Sequence, residues 1–300
     1  MIKKMITFYF CSYYQKKIII MKFLNWINDN NNDNKINWSY LSENPNAISL
    51  LEANPDKINW DYFSLNPNPY AIELLEKNKN KINWYMLSQN PNAISLLEKN
   101  KDNIKWSYLC LNTNPKAILL LEQNPDKIDW FKLSSNPSAI HLIEANLDKI
   151  NWHLLSKNPN AIELLEKNQD KIDWDYIALN TNAINLINNN LDKIKKPSLL
   201  SRNTNPKLLN LIKAYSHKIN WCALSLNPNA ISFLEENKDK IDWDLLMANP
   251  SIFTYDYEAM KKTKADLNEE IIAKALHPKR IFRLISEYGE EEIYNIYFDE

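Results

Sequence analysis

Glycine is almost missing: the chain of 300 residues contains one, Gly289. That excludes the glycine-rich loops that cradle phosphate, which need several positions free to adopt positive φ. Cysteine is nearly as scarce. Cys11, Cys110 and Cys222 are odd in number and share no spacing, which suits free thiols in a reducing compartment rather than a disulfide frame. His141, His153, His217 and His277 form no H-x-x-x-H pair, and no C-x-x-C occurs, so no metal or other cofactor is expected. An excess of one charge is also lacking. The formal net charge is −1 and the pI about 6.5, so no long-range field draws the chain to nucleic acid or an anionic membrane. The apolar run from Met5 to Phe10 falls far short of the ~20 residues of a spanning helix, and Lys16-Lys17 breaks the apolar stretch after it.

What the sequence does have is a repeat. Lys35 to Lys57, KINWSYLSENPNAISLLEANPDK, recurs with small edits almost to the C-terminus. Each copy carries a tryptophan: Trp38, Trp60, Trp84, Trp106, Trp130, Trp152, Trp174, Trp221 and Trp243. The steps between them are 22 or 24 residues, apart from one of 47 that hides a degenerate copy with Ile194-Lys195-Lys196 in place of Ile-Asn-Trp. Ten units of this period predict a stack in which each unit touches mainly its neighbours.

Within a unit, Asn37 is placed to cap a short helix from Trp38 to about Glu43. Asn44-Pro45 stops that helix and starts the next, with Asn44 as N-cap and Pro45 in the tolerated first-turn position. Ala47, Ile48, Leu50 and Leu51 form an apolar stripe at helical spacing, and Asn54 is expected to end the helix in the left-handed conformation. Helices this short are marginal alone, below about 12–15 residues, so stacking of the indoles is expected to stabilise them. The fold class is all-α: an α-solenoid of about ten 22–25-residue helical hairpins with helical caps at both ends, forming one elongated, rod-like, monomeric array. Residues 1–21 lie outside the repeat, and Met21 is the better start of the working protein. Residues 22–34 give an N-terminal capping helix and linker, 35–250 the array, and 251–300 a C-terminal helical cap with an acidic tail. The reduced cysteines favour an intracellular location over secretion.

No catalytic constellation emerges. Cys222 lies near His217 without a third orienting residue, and the chain reads as a non-enzyme. The recurring glutamates (Glu52, Glu76, Glu98) are expected to pair with recurring lysines such as Lys57 and Lys81, or to accept from an indole N–H. Neighbouring aspartates cancel the lysine column as a nucleic-acid stripe. The asparagine before each proline reads as a stacked capping ladder. Partner recognition is expected at the variable residues after each tryptophan: Asp61, Tyr85, Ser107, Phe131, His153 and Asp175.

The unit D-K-I-[ND]-W-x-x-L-S-x-N-P-N-A-I-x-L-L-E-x-N resembles the tryptophan-bearing short repeats of proteins from giant DNA viruses. Phe23-Leu24-Asn25-Trp26-Ile27 is similar to the leader of those proteins. Asn249-Pro250-Ser251-Ile252-Phe253 with Tyr255-Asp256-Tyr257, then His277-Pro278-Lys279-Arg280, is similar to their C-terminal cap. The resemblance covers about residues 22–290. It implies a viral origin, in host cytoplasm or virion, and supplies no catalytic residue. The function expected is a non-catalytic scaffold for an unidentified protein partner, with single-stranded nucleic-acid binding as the alternative.

Overall fold

A computed structural model describes residues 20–28, 36–263 and 277–289. The expectations about residues 1–19, the linker over 29–34, the part of the C-terminal cap over 264–276 and the acidic tail from Glu290 lie outside the described residues. The chain divides into two compact units, Phe23–Phe253 and a second made of Met1–Lys22 with Thr254–Glu300.

The larger unit is an all-α helical repeat. Its first helix spans Trp38–Glu43, and the side chain of Asn37 accepts from the N–H groups of Ser39 and Tyr40. The second helix starts later than Pro45, at Ile48, and runs to Ala53. Asn44 Oδ1 is engaged instead by the N–H of Asn46 at 3.0 Å, which makes a tight turn of the corner. At two of the three corners lengthened by two residues the helix does begin at a proline, over Pro69–Lys77 and Pro115–Glu122, capped by Asn68 and Asn114; at the third, a 3-10 turn over Pro206–Leu208 precedes the helix Leu209–Ala214. Asn54 is not left-handed: its φ is −133°. Its side-chain amide donates to the Leu50 carbonyl at 2.9 Å, and a 3-10 turn absent from the sequence reading, Pro55–Lys57, comes next. Eight of the ten units end in such a 3-10 turn, a third element beyond the two expected.

The core also differs from the one expected. All nine repeat tryptophans are half-buried, whereas Leu41, Phe63, Leu87, Leu109, Leu133 and Leu155, each three residues further on, are at most 1 % exposed. The indoles sit at the edge of the core, and lysines from the 3-10 turn that ends the same unit lie over them: Lys81 Nζ is 4.5 Å from the Trp60 ring centroid and Lys171 Nζ 4.5 Å from that of Trp152. The expected glutamate–lysine column is therefore replaced by a lysine–indole one. Glu76 pairs with Lys99, and Glu122 with His141.

In the degenerate unit the tryptophan's place falls to Pro197, six residues before Asn203 as Trp38 is before Asn44. One extra residue lies between Ile194 and Pro197, and Lys196 takes the N-cap position. A 3-10 helix, Pro197–Arg202, replaces the α-helix there.

The asparagines before the prolines are the structural spine. The side-chain amide of Asn66 donates to the carbonyls of Ser42 and Asn44, both at 2.9 Å. Asn90, Asn112, Asn136, Asn158, Asn180, Asn203, Asn227 and Asn249 repeat the pattern on the unit before. None of these ladder side chains is more than 2 % exposed. A buried primary amide must place both of its N–H groups, and two carbonyls at fixed spacing do so.

The first rung decides the architecture. Asn44 donates to Met247 and Asn249, at 2.8 and 2.9 Å, across 203 and 205 residues. These are the equivalents, in the tenth unit, of the carbonyls used at every other rung. A second contact closes in parallel, Asn46 Nδ2 to the Pro250 carbonyl at 2.8 Å, the counterpart of Asn68 to Pro45. The array is therefore a closed ring of ten units and not an open rod. Each unit turns a tenth of a full circle, so the last meets the first.

The expected N-terminal capping helix is divided between a strand and a short helix. Met21–Phe23 pairs with Phe253–Tyr255, and among the described residues the helix spans Asn25–Asn28. Within the ring unit, Phe23 stacks on Phe253 with centroids 4.6 Å apart, and the Leu24 N–H donates to Ile252 at 2.9 Å. Trp26, 7 % exposed, meets Trp243 edge-on at 6.1 Å. In the smaller unit, Pro278–Tyr288 is helical, and Gly289 ends it with φ 91°. Among the described residues no helix is long and apolar enough to cross a membrane.

Candidate functional site

The first helices of successive units pack closely on one another, and the second helices approach one another much less. In a closed ring the more tightly spaced elements lie at smaller radius, so the first helices line the inside. Their buried positions, such as Leu41 and Ser42, point towards the second helix and the neighbouring unit. Positions one, two and five after the tryptophan are left on the opposite side, facing inwards.

All six residues singled out as the recognition column take the first of these positions. The structure brings them onto one inner face, but most are engaged with the next unit. Asp61 accepts from Asn83 Nδ2 at 2.9 Å. Ser107 Oγ donates to Asp129 at 2.5 Å. His153 Nδ1 is hydrogen-bonded to Asp173. Asp175 Oδ1 accepts from the N–H groups of Lys195 and Lys196, both at 2.8 Å. The residue after one tryptophan thus pairs with the residue before the next, a rule that Ser39 and Asn59 also obey at 2.9 Å. Tyr85 and Phe131 stand out, 53 % and 57 % exposed. Tyr85 meets Tyr108 edge-on at 5.4 Å, and Lys132 Nζ lies 4.4 Å from the Tyr108 ring centroid.

The fifth position was missed by the sequence reading. It holds Glu43, Lys157 and Arg202 among apolar residues such as Leu65 and Leu179. Its signal was available: it is the variable residue just before each ladder asparagine. Burial pushes the Glu43 carboxyl above the ordinary glutamate range. Burial, reinforced by the Arg202 charge, holds the Lys157 ammonium below the usual lysine range. The Tyr40 hydroxyl is pushed up by Tyr62 first, then by burial and the carboxylates of Glu43, Asp242 and Asp244. At Asp173, burial raises the carboxyl, but donors from Tyr176, His153 and Asp175 outweigh it and the net shift is downward.

The two described thiols, Cys110 and Cys222, are poorly placed for nucleophilic work. Burial pushes Cys110 up, and a hydrogen bond with Asp242 pushes Cys222 up; the thiolate is the reactive form. Among the described residues no three histidine, cysteine or carboxylate side chains gather as they would around a metal ion. No family model matches the chain, and neither a curated protein nor a solved structure matches it.

Proposed function

We propose that the protein is a non-catalytic binding ring that engages a protein partner through its inner face, in keeping with the scaffold role expected from the repeat. One observation carries the reading. A constant frame of ladder asparagines and core leucines presents a changing set of side chains on one face, and two of them, Tyr85 and Phe131, are large, aromatic and more than half exposed. Exposed aromatics are over-represented among the residues that anchor protein partners. The inter-unit pairs around them hold that face rigid, which lowers the entropic cost of binding.

A photoreactive phenylalanine analogue at Phe131 tests this in cells that express the protein naturally. Nuclease-resistant protein adducts are expected from position 131 and not from an outer-surface control at Glu144. Adducts of equal yield from both positions, or adducts lost on nuclease treatment, would overturn the proposal.

A further inference from the structure

The charges on the inner face are not mixed evenly around the ring. In the tenth, first and second units, the inner positions and the capping residue before each tryptophan carry Glu43, Asp61, Asp242 and Asp244, and no lysine or arginine. The carboxylates of Glu43, Asp242 and Asp244, which lie on both sides of the closing joint, all act on the Tyr40 hydroxyl. Lys157 and Arg202 lie in the sixth and eighth units, and the Arg202 charge acts on Lys157; the carboxylates of the seventh unit between them are engaged, Asp173 with His153 and Asp175 with the N–H groups of Lys195 and Lys196. Glu43 and Lys157 are five units apart in a ring of ten, so they face each other across it. Among the described residues, none of Glu43, Lys157 and Arg202 has a hydrogen-bond or ion-pair partner. Glu43 and Lys157 are half-buried; uncompensated charges so placed are costly, and opposite charges brought by a ligand would compensate them.

Taking the binding-ring reading above as given, we propose that the inner face receives one polypeptide segment charged oppositely on its two sides. The segment is basic towards Glu43, Asp61 and Asp244, and acidic towards Lys157 and Arg202. Apolar side chains between the two charged sides meet Phe131 and Tyr85. Nucleic acid fits this face poorly, because its backbone presents phosphates to every side and the acidic arc would repel it.

The test uses the full chain and fluorescence anisotropy. The probe is a short alanine-rich helical peptide with lysines along one face and glutamates along the opposite one. Controls are the all-lysine peptide, the all-glutamate peptide and an oligodeoxythymidine of matching length. The two-faced peptide is expected to bind at least about tenfold tighter than any control, and Glu43→Lys and Lys157→Glu each to lose about tenfold of that affinity with unchanged thermal midpoint. Glu43→Gln and Lys157→Met give a milder loss that remains readable if the reversals fail to fold. Equal binding of a one-signed peptide, or no peptide binding, would overturn the charge assignment; the cross-linking at position 131 judges the wider reading independently. Tightest binding by the oligonucleotide would overturn both.

Discussion

The joint between the first and second units and the joint between the tenth and first are made of the same parts but joined differently. At the internal joint the Asn66 amide reaches back 22 and 24 residues; at the closing joint the Asn44 amide makes the same two bonds across 203 and 205. Bringing together ends some 200 residues apart rather than 22 costs roughly 2 kcal/mol more loop-closure entropy. The closing joint carries reinforcement that fits this difference. Trp26 is buried where the repeat indoles are half-exposed, and the Phe23–Phe253 stack and the Leu24–Ile252 hydrogen bond lie alongside. Identical local chemistry can thus need unequal support when the chain connects it unequally.

The comparison can be broken most forcefully at the ladder. Asn136→Ala leaves two buried carbonyls without donors, at about 1–3 kcal/mol each, so urea unfolding should show a loss of about 2–6 kcal/mol. Asn44→Ala removes the same two bonds at the closing joint, where the ring can open without unfolding every unit. Its global loss should be smaller, with faster hydrogen exchange confined to the first and tenth units. Equal losses with no local change in exchange would show that closure does not rest on the ladder.

The tryptophans give the next effect. Trp26→Ala should cost about 3–5 kcal/mol as a buried truncation, and Trp130→Ala about half of that, because its indole is already partly in water. Chemical denaturation of the two variants side by side decides it, and the reverse order would place the repeat indoles in the core after all. Smaller again is the cation over the ring. Lys149 Nζ lies 5.2 Å from the Trp130 centroid and Lys238 Nζ 5.5 Å from that of Trp26; Lys149→Ala or Lys238→Ala should cost about 0.5–1 kcal/mol, read as a small fall in the urea midpoint.

The smallest effect sharpens the electrostatics of closure. Burial raises the Glu43 carboxyl in the folded ring. The folded state therefore holds that proton more tightly than the unfolded chain does, and the penalty develops as pH rises from the unfolded pKa through the folded one. Glu43→Gln should stabilise the ring slightly at neutral pH and leave it unchanged at pH values below the ordinary glutamate range. Thermal melts across that window check the sign.

Parts of this were legible in the residues. Trp38 to Glu43 reads as a helix because Asn37 can cap it and Asn44-Pro45 must end it, and the structure has those bounds. The recognition column was found as a column because its residues vary between units. Its ties to the next unit were not, because Asp61 to Asn83 or His153 to Asp173 become neighbours only when units stack. Asn54 misled because asparagine tolerates the left-handed conformation without requiring it. The indoles misled because size suggests burial, while a lysine laid over a ring at the core's edge leaves no trace in the periodicity.

The sequence by itself determined the unit, its period and the two helices it could make, since capping, proline sterics and apolar spacing act within a few residues. Only the tertiary structure decided that ten such units form a circle. Closure depends on a small rotation between neighbours, accumulated until the tenth unit meets the first, and any copy of the repeat is compatible with a range of such rotations. The angle is set where the buried amides and core leucines of adjacent units fit together, and so is the inner face on which Glu43 and Lys157 stand five units apart.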